Sequence, residues 1–415
     1  MHVMFVHQNF PAQFGHIGAY AVKNLGWECT FVSKTNPGVV DGIKKIQFSV
    51  SGGATKKTHY FSRTFENCTW QAAAIYGALR PVHAVLQPDL IVGHSGFGST
   101  LFLPELFPLA PLISYFEFFY HPHGSDLDFR KDARVLEEDV LRSRARNAMI
   151  LLDLENCQAA YCPTEFQRSL MPAAYAGKIR TLHDGIDTQF WRRQELPERA
   201  YGKYKFGPET RIVTYVSRGF ESARGFDIFM RGAKKIYQAY PNVVFLCVGS
   251  DRVAYSGDMR FIKEKSFKEY VLKQDNYDLS KFLFVGSVPP ADLVKILSLS
   301  DLHIYLTVPF VLSWSVLNAM ACRCTLLCSD TAPVREVIQH NHSGLLFDFH
   351  DAEALAAMAL EVLKDPAAYG NLGRAAEETV RQRYSMGVMM PQIVDFYEEV
   401  AAMKVDHRRP GAQRA

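Results

Sequence analysis

Short runs of β-branched and aromatic residues alternate along the whole chain with longer stretches whose apolar positions recur every three to four residues. The short runs at residues 2–6, 28–32, 89–92, 112–115, 159–161 and 179–182 form a first set. Those at 212–216, 243–248, 282–285, 302–306, 325–328 and 345–347 form a second. Alternation of this kind predicts βαβ units with parallel sheets, and two sets predict two α/β domains. Between them, residues 187–207 are charged, lack either periodicity and follow the turn-forming pair Asp184-Gly185, so they read as a linker. Near the end, Met386, Met389, Met390, Ile393, Phe396, Tyr397 and Val400 fall at helical spacing, which predicts an amphipathic helix able to pack back on the first domain. The expected division is 1–190, 191–384, a helix at 385–404 and a polar, basic tail at 405–415.

The length of 415 residues suits two domains of ordinary size. Forty-six Lys plus Arg against 43 Asp plus Glu leave a net charge of +3, which does not suggest nucleic acid as a partner. The greasiest stretch, residues 101–113, is broken by Pro104, Glu105, Pro108 and Pro111 and is too short to span a bilayer. The first residues form a strand-like run with no signal-peptide pattern, giving an expected cytoplasmic location. Lys44-Lys45, Lys56-Lys57 and the basic tail motivate a minor reading of peripheral contact at the inner membrane surface. The eight cysteines are scattered in apolar surroundings and read as buried free thiols. Cys322, Cys324 and Cys328 lack the paired spacing of a zinc site.

In open parallel sheets, ligands bind beyond the carboxyl ends of the strands. The strand at 212–216 ends in Ser217-Arg218-Gly219, and Arg224-Gly225-Phe226 opens the next helix, placing two guanidiniums and two glycines where an anion would sit. The strand at 302–306 runs into Thr307 and Phe310-Val311-Leu312-Ser313-Trp314, with a helix expected from near Ser315 and Asn318 in its first turn. In the first half, Gln8, Asn9, Phe10, Gln13 and Phe14 follow the opening strand and combine amides with aromatic rings, which suits a ligand with hydroxyls and a ring face; turn formation by Asn9 and Pro11 is the plainer account. His94 ends another strand and reads at least equally well as a satisfied histidine near the core. Asp126-Leu127-Asp128 has the form of a metal-binding DxD but lies far in sequence from the arginines, so a capping or solvated role is favoured.

Asn318-Ala319-Met320-Ala321-Cys322, Pro333-Val334-Arg335-Glu336-Val337-Ile338 and Ser343-Gly344-Leu345-Leu346 together resemble the C-terminal half of family 4 retaining glycosyltransferases of the GT-B fold. Further matches are Ser217-Arg218-Gly219 with Arg224-Gly225, Phe284-Val285-Gly286, and His183-Asp184-Gly185-Ile186-Asp187. The resemblance implies two facing Rossmann-like domains with mostly parallel sheets. It further implies a retaining, hexosyltransferase-like enzyme that moves a sugar from a nucleotide diphosphate donor to an acceptor hydroxyl on a glycan, a lipid-linked saccharide or a small molecule, without metal. The co-substrate would be a UDP- or GDP-sugar, with no separate cofactor. Arg218 and Arg224 would bind the diphosphate; Gly219, Gly249, Ser287, Val288 and the run Phe310, Val311, Leu312, Ser313, Trp314, Ser315 would border the donor. Two family glutamates eight positions apart, for the sugar and the ribose, fall here on Phe310 and Asn318. A family histidine that contacts the donor sugar falls on Glu117, with His121 and His123 nearby. Gln8, Asn9, Phe10, Gln13, Phe14, His121 and His123 then form the acceptor side, and Glu117 joins the arginines as a catalytic candidate. The two departures keep a second reading open, a catalytically silent nucleotide-sugar-binding homologue or partner subunit.

Overall fold

The computed structural model describes residues 1–35 and 38–408; the last seven residues of the expected basic tail, 409–415, lie outside the described residues. The chain divides into two compact units. One is built from Met1–Asp128, Ala133–Gly185 and Met386–Ala415, the other from Phe129–Asp132 and Ile186–Ser385.

The first unit carries a seven-stranded, wholly parallel sheet of β1 (His2–Val6), β2 (Glu28–Lys34), β3 (Ile43–Phe48), β4 (Leu90–His94), β5 (Leu112–Tyr115), β6 (Ala159–Cys162) and β7 (Ile179–Thr181). The spatial order is β3-β2-β1-β4-β5-β6-β7, so the direction of winding reverses between β1 and β4. Alternation along β1 shows why the sheet is buried on both faces: Val3 and Phe5 enter one core, Met4 and Val6 the other. The C-terminal helix Met386–Ala401 adds Met389, Met390, Ile393, Phe396 and Tyr397 to the core that holds Phe5, and the Tyr397 and Tyr161 hydroxyls meet at 3.0 Å.

β3 carries no apolar run in the sequence because Lys44 and Lys45 interrupt it; it is the edge strand, where lysines are commonly placed. There Lys44 pairs with Glu28, and Lys45 donates to the Gly38 carbonyl at 2.7 Å and lies over the Phe10 ring. Those contacts account for one of the two lysine pairs that suggested a membrane surface. No helix among the described residues is long and apolar enough to cross a membrane.

The second unit opens with a two-stranded antiparallel hairpin, β8 (Ala200–Tyr201) with β9 (Tyr204–Lys205). Its parallel sheet contains β10 (Arg211–Gly219), β11 (Val243–Ser250), β12 (Phe282–Gly286), β13 (Leu302–Tyr305), β14 (Leu326–Ser329) and β15 (Leu345–Phe347). The order β12-β11-β10-β13-β14-β15 reverses between β10 and β13. Residues 187–207, expected as a linker, are instead packed: Trp191, Leu196, Tyr201 and Phe206 cover the second unit's core, and Arg199 pairs with Asp301 at 2.8 Å. Their apolar residues are spaced too irregularly to show a period. All eight cysteines are buried and free, and burial raises their thiol pKa values, as for Cys328.

Candidate functional site

Each sheet has one switch point, and chemistry-bearing residues gather at both. In the second unit a register shift between Val216 and Gly219 bends the end of β10. A Cβ at Gly219 would stand 2.2 Å from the Arg252 carbonyl oxygen, so only glycine lets the two loops lie that close. The chain then makes a tight turn at Ser222–Arg224, and Gly225, at φ +61°, starts the helix Phe226–Ala239. This turn is pinned from outside by Arg130, which donates to the Ser222 carbonyl at 2.9 Å and makes a bidentate pair with Asp227 at 2.7 and 3.0 Å.

The turn delivers Arg224 into the interior, 5% exposed. Its guanidinium donates to the Thr307 hydroxyl at 2.7 Å, the Tyr305 hydroxyl at 3.4 Å and the Val311 carbonyl at 3.2 Å, which ties it to the loop after β13. Among the described residues no carboxylate oxygen lies within 4 Å of it, whereas Arg130, Arg168, Arg180 and Arg199 all have one. Arg218 is exposed and donates to the Tyr255 hydroxyl at 3.4 Å, and the Tyr255 ring lies 5.1 Å from the Arg224 guanidinium. The two arginines therefore converge on one tyrosine.

Phe310 is half-buried with its ring 5.6 Å from that of Tyr255. Leu312 is buried, and Ser313 caps the helix Trp314–Ala321 by accepting from the Ser315 N–H. The helix thus begins one residue before the expected Ser315, and Asn318 is its fifth residue, just past the first turn in which it was expected. Asn318 is buried, Trp314 partly exposed and Val311 half-buried. Gly249 is the penultimate residue of β11, where a Cβ would stand 2.4 Å from the Ser217 carbonyl oxygen; Ser287 and Val288 follow β12, exposed and half-buried.

In the first unit, His7 follows β1 and His94 ends β4, the two strands at the switch point, with ring centroids 4.8 Å apart. The His94 Nδ1 bonds the Ser95 carbonyl at 2.9 Å, and its Nε2 stands 3.6 Å from Glu117 Oε2 beyond β5. Gln13 donates to the other Glu117 oxygen at 2.8 Å, and Ala12 beside it holds φ +46°. Burial opposes charge on both partners, but each one's bond and charge outweigh it: His94 is raised and Glu117 lowered from their ordinary values. His7 is driven down to about 3 by burial and then by His94, so it stays neutral. The Glu117 side chain remains 31% exposed, so a held carboxylate faces outward from a buried imidazole pair.

Other residues expected on the acceptor side lie elsewhere. Phe10 and Phe14 are core residues, packed on Phe31 and Phe5, because the chain turns inward after β1 to start a helix. His121 bonds the Leu170 carbonyl at 2.8 Å and His123 is exposed. Gln8 is half-buried and Asn9 exposed, its N–H donating to His7 Nδ1 at 2.8 Å. Asp128 caps a turn by accepting the Gly124 and Ser125 N–H groups, both at 2.9 Å, and burial pushes Asp126 up to about 6. Sequence reasoning missed the pairing of Glu117 with His94, the neutral His7 and Tyr255. His7 follows one strand and His94 ends the other at the point where the strand order reverses, an order that the sequence does not carry.

A family model described as "Glycosyl transferase family 4 group" matches residues 25–191, and one described as "Glycosyl transferases group 1" matches residues 199–379. The chain belongs to the family 4 glycosyltransferases. Its GT-B fold is shared with sucrose-phosphate synthase from Thermosynechococcus elongatus, at a TM-score of 0.73 and 17% identity over 97% of this chain and 99% of that one. It is also shared with Anabaena HepE in complex with UDP-glucose, at a TM-score of 0.69 and 14% identity over 96% and 100%. N-acetyl-alpha-D-glucosaminyl L-malate synthase of Bacillus anthracis is 24% identical over 225 residues, 54% of each chain. The chain spans about half the length of the curated relatives it matches.

Proposed function

We propose that this family 4 glycosyltransferase transfers a sugar from a nucleotide diphosphate donor to an acceptor hydroxyl, with retention of configuration and without a metal ion. The observation that carries the reading is Arg224. A guanidinium this deeply buried with only neutral acceptors around it is costly unless a ligand brings the anion. The site at the carboxyl end of β10, with Arg218 beside it, suits a diphosphate. HepE with bound UDP-glucose makes a UDP-sugar the first donor to test. Gly249, Ser287 and Val288 would border the base and Asn318 the ribose. In the first unit, Glu117, held by Gln13 and His94, is a carboxylate suited to sugar hydroxyls. In the retaining course that the family resemblance implies, the acceptor attacks the face the phosphate leaves, and the leaving phosphate takes the acceptor's proton.

One observation favours the silent alternative: Phe310 offers a hydrophobic ring where a sugar-binding carboxylate would serve. Incubation with UDP- and GDP-sugars and a panel of hydroxyl acceptors separates the two. Nucleotide release that requires an acceptor and persists in EDTA is the expected result. Saturable donor binding with no release under any acceptor would establish the silent reading, and release that EDTA abolishes and Mn²⁺ restores would refute the metal-free one.

Asn318→Glu is expected to lower the donor Michaelis constant, since a carboxylate can accept from both ribose hydroxyls and an amide oxygen is one acceptor. An unchanged or higher constant in a variant that melts like the parent would remove Asn318 from the ribose.

A further inference from the structure

The loop between β11 and the helix Phe267–Gln274 is fastened to the turn that carries Arg224 at two points. Glu221, fully buried, gathers three consecutive backbone N–H groups on one oxygen: Ala254 at 3.0 Å, Tyr255 at 2.8 Å and Ser256 at 3.0 Å, with the Ser256 hydroxyl at 3.2 Å. Asp258 accepts the Ser222 N–H at 2.9 Å and bonds the Ser222 hydroxyl. Burying a carboxylate is expensive, and three converging N–H dipoles are the means of offsetting it, so residues 254–256 are held in one conformation.

That conformation sets Tyr255 apart. The sheet tyrosines Tyr215 and Tyr305 are buried, and Tyr215 donates to the Arg224 carbonyl at 2.6 Å. Tyr255 is 42% exposed, yet its ring meets the Arg224 guanidinium and its hydroxyl accepts from Arg218. With the oxygen engaged as acceptor, its own O–H proton remains available to donate.

We infer that Tyr255 is a third diphosphate-binding residue, donating its phenol proton to a phosphate oxygen held between Arg218 and Arg224, and that Glu221 is the positioning residue that puts it there. The inference rests on the donor reading of the two arginines. It assigns to this loop a direct part in stabilising the leaving diphosphate, as a hydrogen bond to a charged group.

Inorganic pyrophosphate, titrated by calorimetry into the full chain, tests it without knowledge of the base or sugar. Tyr255→Phe keeps the ring against Arg224 and removes only the hydroxyl; it is expected to weaken pyrophosphate by roughly tenfold. Glu221→Gln is expected to weaken it too, but by much less in a Tyr255→Phe background, a non-additivity that a general loss of stability would not produce. If Tyr255→Phe binds like the parent while Arg224→Ala does not, Tyr255 is outside the site and the donor reading stands. If neither substitution changes binding, the donor reading itself falls. Equal losses from Glu221→Gln with and without the phenol would overturn the positioning role.

Discussion

Arg224→Ala is expected to lower turnover by about 10²–10³-fold, corresponding to about 2.7–4 kcal/mol of lost transition-state stabilisation. As the glycosidic bond breaks, negative charge builds on the leaving diphosphate, and a cation already fixed in a desolvated site can offset it without reorganisation. Arg224 is so fixed: Thr307, Tyr305 and Val311 hold it from one side, and the turn that carries it is pinned by Arg130, Glu221 and Asp258. The same bonds mean that alanine also loosens the loop after β13, so some melting temperature is lost with it. Arg224→Lys separates the two effects, because it restores the charge but not the three-way fork. Lysine is therefore expected to recover a substantial part of turnover over alanine while recovering less of the stability. A lysine variant no more active than alanine, with UDP binding unchanged in both, would show that Arg224 holds the loop and does not meet the diphosphate. Arg218 is exposed, and among the described residues its guanidinium bonds only the Tyr255 hydroxyl, so Arg218→Lys tests geometry alone, with a kinetic loss and no change in melting expected.

Asp153→Asn is expected to stabilise the protein above pH 7. Asp153 is almost fully buried in the helix Ala148–Asn156, and its carboxyl accepts from Ser95 Oγ and Gly96 N–H, both at 2.8 Å, and from Thr100 Oγ1 at 3.3 Å. Burial pushes it up to about 6, against the opposing effect of those bonds and of His94. The folded value lies above the ordinary one near 3.8, so the folded state holds the proton more tightly. The resulting stabilisation is complete below about pH 4 and is lost as pH rises through about 6. Two units correspond to on the order of 3 kcal/mol between those limits. An amide can accept from Ser95 and Gly96 through its oxygen and donate to Thr100, which mimics the protonated acid. Denaturant unfolding at pH 4.5 and pH 8 should then show the parent losing stability and Asp153→Asn holding it. Asp153→Ala strands three donors, of which Ser95 and Thr100 are buried, and is expected to cost about 3 kcal/mol or more at both pH values. A parent profile that is flat across this range would mean that Asp153 stays ionised in the folded state. The consequence reaches the site, because residues 95–100 follow directly on His94.

Much of the architecture was legible because buried parallel strands must be apolar on both faces, and twelve such runs stood out with their approximate limits. The edge strand β3 did not, since one exposed edge tolerates Lys44 and Lys45. The hairpin within residues 187–207 did not, since short antiparallel pairs carry no extended period.

At the site, sequence by itself determined the residues whose role depends on the local chain: Gly219 and Gly225, needed for close approach and a left-handed turn, the arginines beside them, and the Ser313 cap. Tertiary structure alone decided which residues work together. Phe10 and Phe14 carry the same local signal as Gln13, but only the fold shows that the rings face the core while the amide reaches Glu117, 104 positions away. His94 and Glu117 are paired by neighbouring strands, and Tyr255 reaches Arg218 and Arg224 because Glu221 draws a separate loop against their turn. Charge and polarity are properties of a residue, whereas burial, partner and net protonation are properties of the neighbours the chain brings to it from far along the sequence.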